Sequence, residues 1–343
     1  MKFCCTKCFN DKYFEISDIP FQKTGKCYYC GTENAKLINP ADLKIHFDGL
    51  IDLYEPNGKN GKLLFNQISS DWNIFSNKIP KNLQKELFYK ICLCPDHKRY
   101  ALRGINDIHK KAEINWKNFS DEIKYKNRFI ISNTQIFDIL DEFSYLFSLK
   151  DIPSAFYRAR KMENFDEFNE NDMLKPPKEK TTNGRANPKG IPYFYVASDS
   201  NTAIHEIRPH RGDIVCVAKI KATNIPKLKI LDLRCINSYN FSPFEENEDA
   251  EKLINALAFM KLFAKKLALP IISHQKDFDY LPTQYLCEKI KSLNWSGIAY
   301  KSSASSEKNE GYNIVFFDDA DFKIINYMKN EILETKIKSK LLK

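Results

Sequence analysis

The sequence predicts an α+β protein, and three observations along its 343 residues carry this prediction. Apolar runs typical of strands are concentrated in the C-terminal half, and helical patterns lie among them without a regular βαβ alternation. The middle of the chain shows helical spacing, and its start carries paired cysteines. These differences predict a zinc-ribbon-like segment at 1–40, a helical domain at 41–150, an α+β domain at 151–328 and a basic tail at 329–343.

Composition excludes several classes of protein. With 43% hydrophobic residues the chain buries a sizeable core. Its net charge of +9 comes from lysines that alternate with acidic residues, so nucleic acid is not an expected partner. No apolar run reaches the roughly 20 residues that span a bilayer, and the N-terminus lacks the apolar stretch of a signal peptide. We therefore expect a cytoplasmic protein that does not contact membranes and whose cysteines form no disulfides.

Two CxxC pairs mark the start of the chain. Cys5 and Cys8 form the first pair, and Cys27 and Cys30 form the second. Their separation lies within the range of tetrahedral zinc sites built from four thiolates. Gly31 follows the second pair, where a tight turn is required. The pattern predicts a structural Zn²⁺ ion, which would supply folding free energy to a segment too short to bury a core.

A second cysteine group carries a weaker signal. Cys92, Cys94 and His97 are three potential ligands without a clear fourth. Cysteines also behave as small apolar residues in protein cores. We therefore expect these cysteines to be buried and not to bind a metal.

The middle region reads as helical. Apolar residues at 83, 87, 88 and 91 share one helical face, and a second face runs through 136–146 after potential capping residues at 132–134. Arg103 and His109 have the spacing found in HEPN-type ribonucleases, which keeps RNA cleavage as an alternative function. A binding module with an inactive C-terminal domain is a further alternative.

The C-terminal domain begins near Pro153, because proline disfavours helix at the residue before it. Strands are predicted at 193–197, 214–220, 228–233 and 312–317, helices at 202–206, 249–269 and 282–293, and a loop at 161–183. No GxGxxG segment precedes a helix, which disfavours a Rossmann-type oxidoreductase.

Four polar residues lie at the edges of these apolar runs. They are Arg158, Arg185, Glu206 and Ser302. Guanidinium groups bind phosphates through paired hydrogen bonds, and carboxylates stabilise sugar cations. The set therefore indicates a site for a diphosphate and a sugar.

The order and flanks of these residues are more specific. The relevant segments are FYRAR at 156–160, GRANPKG at 184–190, YFYVA at 193–197, AIHE at 203–206, DYLPTQY at 279–285, YKS at 300–302 and GYNIVFF at 311–317. Together they make residues 151–320 resemble the RES domain family. A helical segment with a zinc-ribbon-like start also occurs in that family.

The resemblance implies a fold related to ADP-ribosylating toxins, with NAD⁺ as the substrate. Members of this family are typically toxins paired with an antitoxin protein. They break the nicotinamide–ribose bond of NAD⁺ by hydrolysis or phosphorolysis, or transfer ADP-ribose to a protein. The acceptor in this chain, whether water, phosphate or a protein, stays open.

The resemblance also implies roles for individual residues. Arg158 and Arg185 would hold the pyrophosphate, and Glu206 would bind the nicotinamide ribose and stabilise its cation-like transition state. Ser302 would position the ribose or the nicotinamide. Arg158, Glu206 and Ser302 are the expected catalytic residues.

Other residues complete the expected NAD⁺ site. Tyr195 would stack on the nicotinamide ring, and Asn313 would fix the end of a strand beside the site. Arg160 is an alternative to Arg158, because both would point to the same face of a strand. Ser303 is likewise an alternative to Ser302.

Overall fold

The structure is a computed structural model of the chain. It describes residues 2–10, 14, 18–52, 54–56, 61–72, 74–93, 99–102, 108–132, 148–149, 152–162, 170–223, 228–234, 247–269, 276–302, 311–317 and 322–335. The predicted helix at 136–146 and most of the basic tail lie outside the described residues.

The chain forms two compact units, each made of three segments. The first unit comprises Met1–Trp116, Glu142–Leu146 and Cys235–Lys261. The second comprises Lys117–Asp141, Phe147–Arg234 and Leu262–Lys343. The predicted domain boundaries at residues 40, 150 and 328 stay predictions.

Nine described helices and twelve strands make up the fold, which confirms the α+β class. The helices are α1 (Lys44–Ile51), α2 (Leu64–Asp71), α3 (Lys81–Cys92), α4 (Ile108–Tyr125), α5 (Glu170–Met173), α6 (Ser200–Glu206), α7 (Asn247–Ala268), α8 (Lys276–Asp279) and α9 (Leu281–Ser292). The strands are β1 (Lys23–Gly25), β2 (Ala35–Leu37), β3 (Tyr54–Pro56), β4 (Lys62–Leu63), β5 (Arg99–Leu102), β6 (Phe156–Lys161), β7 (Phe194–Ala197), β8 (Ile214–Ala222), β9 (Ile230–Asp232), β10 (Gly297–Lys301), β11 (Tyr312–Phe316) and β12 (Phe322–Glu331).

The first unit has an aromatic core. Phe9 and Phe14 stack with ring centroids 4.2 Å apart, and Phe47 lies 6.0 Å from Phe14. Strands β1 and β2 form an antiparallel hairpin, and β3, β5 and β4 form a small antiparallel sheet. The described part of 41–150 is mostly helical, as predicted. The small sheet was not predicted, because its strands are too short to show a period of two.

The second unit contains a seven-stranded sheet in the order β12-β8-β6-β7-β11-β10-β9. All its neighbouring strands are antiparallel except β9 and β10, which are parallel. One face packs large side chains such as Phe156, Phe194 and Phe316. On the other face, Ala159 and Ala197 are small, and Ala203 of α6 packs on them. Small residues on both sides let this short helix approach the sheet closely.

Several predicted elements are confirmed within one or two residues. They include the helix predicted at 249–269, observed as α7, and the strand predicted at 312–317, observed as β11. The predicted loop at 161–183 instead contains the one-turn helix α5 and a short 3₁₀ helix at Lys178–Lys180. None of the described helices is both long and apolar enough to cross a membrane.

Candidate active site

A cavity of about 220 Å³ lies between β6 and β7. The two strands pair at a single position, Tyr157 opposite Ala197, whereas β6 pairs with β8 along its whole length. Residues 157–159 and 195–197 all line the cavity. Beyond that single pair the two strands are not paired, and three consecutive residues of each border the cavity. The cavity is therefore a fork in the sheet.

The carboxylate of Glu206 lies at this cavity, at the C-terminal end of α6. Its Oε1 accepts hydrogen bonds from Ser302 Oγ at 2.5 Å and from Asn313 Nδ2 at 2.7 Å. Ser302 follows β10, Asn313 lies on β11, and both side chains are buried. Both of these hydrogen bonds go to Oε1, and the described residues donate none to Oε2.

The start of α6 is fixed by its capping residue. Asp199 accepts hydrogen bonds from the Thr202 amide at 2.8 Å and from the Thr202 hydroxyl at 2.7 Å. A Cβ atom at Gly311 would overlap the Thr202 hydroxyl, so a glycine is required where β11 approaches the helix. The helix has only seven residues, and hydrogen bonds hold both its start and the side chain at its end, which fixes the position of Glu206.

Arg158 lines the same cavity, and its Nη1 is buried without a hydrogen-bond partner among the described residues. Its guanidinium carbon lies 5.3 Å from the centre of the Phe194 ring. Burial and the neighbouring Arg160 lower the pKa of Arg158 to about 10, which leaves it charged at neutral pH. A buried cationic donor without a partner is unfavourable, and an anionic ligand would satisfy it.

Of the alternatives left open by the sequence, the structure allows a comparison of Arg158 with Arg160 but not of Ser302 with Ser303. Arg158 lines the cavity, whereas Arg160 is not among the residues that line it. Ser302 binds Glu206, while Ser303 lies outside the described residues.

Arg185 occupies a different position from the one expected of a pyrophosphate ligand. Its Nη1 donates to the carbonyl oxygens of Leu267 at 3.1 Å and Ala268 at 2.5 Å, at the C-terminal end of α7. A cation is favourable there because the last carbonyls of a helix carry partial negative charge. Arg185 is not among the residues that line the cavity, although its charge acts on the buried hydroxyls of Tyr195 and Tyr300.

Tyr195 also lines the cavity. Its hydroxyl donates to Asn187 Oδ1 at 2.8 Å and accepts from the Ala186 amide at 3.2 Å. Burial raises the pKa of this hydroxyl, which therefore stays protonated. The side chain thus connects the cavity with the loop at 184–190.

Sequence reasoning missed two tyrosines that line the cavity, Tyr157 and Tyr300. Burial, and then the nearby Glu206, raise the pKa of Tyr300, so its hydroxyl also stays protonated. The position of Tyr300 could have been predicted from its spacing to Ser302, because residues two apart on a strand project to the same face. The position of Tyr157 at the cavity could not be predicted in this way, since it depends on where β6 and β7 stop pairing.

A four-cysteine cluster lies in the first unit. The sulfur atoms of Cys5, Cys8, Cys27 and Cys30 all lie within 4.8 Å of one another. The Cys8–Cys27 and Cys5–Cys30 sulfurs are 3.4 and 3.5 Å apart. Four sulfurs at the zinc–sulfur distance of 2.3 Å would be roughly 3.8 Å apart in a tetrahedron. The donor set and its geometry therefore fit a zinc ion.

The remaining candidates fall outside the described side chains. They are Arg103 and His109, proposed for RNA cleavage, and Cys94 and His97 of the second cysteine group. Cys92 of that group is buried, as expected.

Fold and site together define an α+β domain with a ligand cavity between diverging strands of its sheet. Residues 155–334 match the RES domain family. The match covers more than half of the chain, which therefore belongs to the RES domain family. No protein with a curated description matches the sequence.

One solved structure is similar to the chain. It is the crystal structure of the M. tuberculosis MbcT-MbcA toxin-antitoxin complex. The similarity covers 58% of this chain and 93% of the other, with 12% identity and a TM-score of 0.34. A similarity of this size carries no argument about function.

Proposed function

We propose that this chain is a toxin-like enzyme that consumes NAD⁺ by breaking its nicotinamide–ribose bond. The observation that carries the proposal is the carboxylate of Glu206, fixed by Ser302 and Asn313 at a cavity that Arg158 also lines. Among the described residues, Arg158 Nη1 has no hydrogen-bond partner. A carboxylate and a buried cation that line one cavity suit a substrate with a cationic sugar and a diphosphate. Membership of the RES domain family supports the same substrate.

The chemistry is a substitution at the ribose carbon that bears nicotinamide. The carbon–nitrogen bond breaks, and its electron pair leaves with the ring, which departs as neutral nicotinamide. The ribose then carries positive charge shared between its ring oxygen and C1. Glu206 Oε2 would stabilise that charge, as carboxylates do in glycoside cleavage. Water then adds to the carbon and releases a proton to solvent, which gives ADP-ribose, or phosphate adds and gives its 1-phosphate.

The second part of the proposal concerns the diphosphate. Arg158 Nη1 would donate a charge-assisted hydrogen bond to a phosphate oxygen. This oxygen would be the acceptor that Nη1 lacks among the described residues. The cavity of about 220 Å³ is smaller than the roughly 300–1,000 Å³ of pockets that enclose a drug-sized ligand. It would therefore enclose the nicotinamide ribose and leave the adenosine outside. Arg185 would reach the diphosphate only after leaving the end of α7.

The last part of the proposal concerns the partner and the location of the protein, and membership of the RES domain family supports it. We propose a protein antitoxin as the partner and the cytoplasm as the location. Transfer of ADP-ribose to a protein is the alternative reaction, because a protein nucleophile would attack the same carbon.

The test is the release of nicotinamide from NAD⁺, followed by chromatography with and without inorganic phosphate. We expect Glu206→Gln to lower the rate by about 10²-fold or more, since it removes the charge that stabilises the transition state. Glu179→Gln is the matched control, because Glu179 is exposed. Equal rates in the wild type and Glu206→Gln would overturn the assignment. Labelled ADP-ribose on an added protein would instead identify a transferase.

We also propose that the four-cysteine cluster holds one structural zinc ion. Four thiolates complete a tetrahedral site and leave no open position, so the metal would stabilise the fold and would not act in catalysis. Gly31, with a φ of 73°, forms the turn after the second pair. Its amide donates to the Cys27 carbonyl at 3.1 Å, which closes that turn around the proposed site.

A further inference from the structure

The segment at 279–285 has no role in the chemistry described above, yet two of its side chains bind the loop behind the cavity. Gln284 Nε2 donates to the carbonyl oxygens of Gly184 and Asn187, both at 2.9 Å. Thr283 Oγ1 lies 2.6 Å from the Arg185 carbonyl oxygen, to which it donates. Both side chains are almost fully buried. The first turn of α9 therefore holds the backbone of three loop residues.

The chemistry of the amide makes Gln284 specific for this position. A glutamine amide nitrogen has two N–H groups, and here each one meets a carbonyl oxygen. Both partners are acceptors, so the amide orientation follows from its surroundings. A side chain of the same size without these donors would leave two carbonyls without their hydrogen bonds.

The loop transmits this constraint to the cavity through Asn187. The Asn187 amide nitrogen lies 3.1 Å from each of the carbonyl oxygens of Thr182, Pro188 and Ile191. Its two N–H groups are shared among these three acceptors, which stiffens the loop. Its Oδ1 accepts the Tyr195 hydroxyl at 2.8 Å.

A Cβ atom at Gly184 would clash with both Asn187 and the Tyr195 hydroxyl, so the contact is close-packed. The ring of Tyr195 lines the cavity. A continuous set of contacts thus runs from Gln284 to the cavity wall.

We infer that Gln284 is a positioning residue that sets substrate affinity through the loop at 184–187 and Tyr195. This inference rests on the proposed NAD⁺-consuming function. Glu206, Ser302 and Asn313 lie on other elements, so loosening the loop leaves the reacting carboxylate in place. Gln284 therefore affects KM for NAD⁺ much more than kcat.

The test compares Gln284→Met with Gln84→Met in the full-length protein. Methionine keeps the length of glutamine and removes its donors. Gln84 is a matched control, because its Nε2 also donates to two backbone carbonyls, those of Ser76 and Ile79, but in the first unit. We expect Gln284→Met to raise KM about tenfold, with kcat within about twofold, and Gln84→Met to leave KM unchanged.

Hydrogen exchange provides a readout that does not depend on activity. Exchange of the amides at 184–190 should become faster in Gln284→Met and remain unchanged in Gln84→Met. Unchanged exchange at 184–190 would overturn the inference even if the wild type did not consume NAD⁺. If the wild type is active, the inference would also be overturned by a Gln284→Met variant with an unchanged KM, or by one in which only kcat falls.

The route through Tyr195 has its own test. In a double-mutant cycle, Gln284→Met and Tyr195→Phe should raise KM by less than the product of their separate effects, because both interrupt the same set of contacts. Fully multiplicative effects would refute that route.

Discussion

The buried charge of Arg158 lowers the stability of the ligand-free protein but favours the binding of an anion. Its Nη1 is buried without a partner among the described residues, and its pKa is lowered to about 10 by burial and by Arg160. The charge is therefore present at neutral pH in a position that disfavours it. Such a group lowers the stability of the free protein and becomes favourable when an anion binds.

The substitution Arg158→Met tests this opposition. Methionine fills the space without a charge, so we expect the melting temperature to rise by about 2–4 °C, which corresponds to about 1 kcal/mol. We expect KM for NAD⁺ to rise by about 10-fold or more. Thermal unfolding and nicotinamide release measure the two effects. Lys178→Met, at an exposed position that does not line the cavity, should produce neither. A lower melting temperature for Arg158→Met would show that the guanidinium already has a partner.

At the scale of elements, α6 places the carboxylate of Glu206 through the capping residue at its start. Burial acts to raise the pKa of Asp199, but hydrogen bonds from Thr202 and Ser198 outweigh it and hold this pKa below its usual value. A carboxyl group whose pKa is lower in the folded state stabilises the fold above the unfolded pKa, near 4. That stabilisation is lost as the pH falls through the folded pKa.

We therefore expect Asp199→Ala to lower the free energy of unfolding by about 1 kcal/mol at pH 7. The difference from the wild type should shrink below about pH 4. Urea unfolding across this pH range measures it. Asp199→Asn retains a capping oxygen but not the charge, so its stability at pH 7 should lie between those of Asp199→Ala and the wild type. A difference that grew as the pH fell would contradict this assignment.

The elements differ in how far the sequence predicts them. The helix α7 and the strand β8 carry enough regularly spaced apolar residues to be recognised locally. Strands β3, β4 and β5 have two to four residues each, and their pairing is set by partners distant in the chain. The fork between β6 and β7 could not be predicted from the local sequence, because it also depends on how strands distant in the chain pair.

The same distinction holds in the site. Glu206, Ser302 and Asn313 were identified from their segments, and the structure brings them together. The orientation of Arg185 was not predictable, because its guanidinium binds the end of α7, 82 residues further along the chain. Sequence motifs place a residue on an element, while its rotamer depends on tertiary contacts.

At the scale of the whole molecule, the four-cysteine cluster makes a prediction about metal content. We expect the purified protein to contain about one zinc per chain, and a chelator to remove it and lower the melting temperature. Cys27→Ser should lose the metal. Cys92→Ala should retain it, because Cys92 is buried outside the cluster. A metal-free wild type that unfolds at the same temperature with and without chelator would contradict the zinc proposal.

The central claim is that NAD⁺ binds in the cavity between β6 and β7, with its nicotinamide ribose at the carboxylate of Glu206. The most direct measurement is a crystal structure of the Glu206→Gln protein with NAD⁺, since this variant should bind the substrate without cleaving it. We expect the nicotinamide ribose to lie between β6 and β7, beside the side chain at position 206. A phosphate oxygen should lie within hydrogen-bond distance of Arg158 Nη1. A dinucleotide bound elsewhere, with the fork empty, would contradict the central claim.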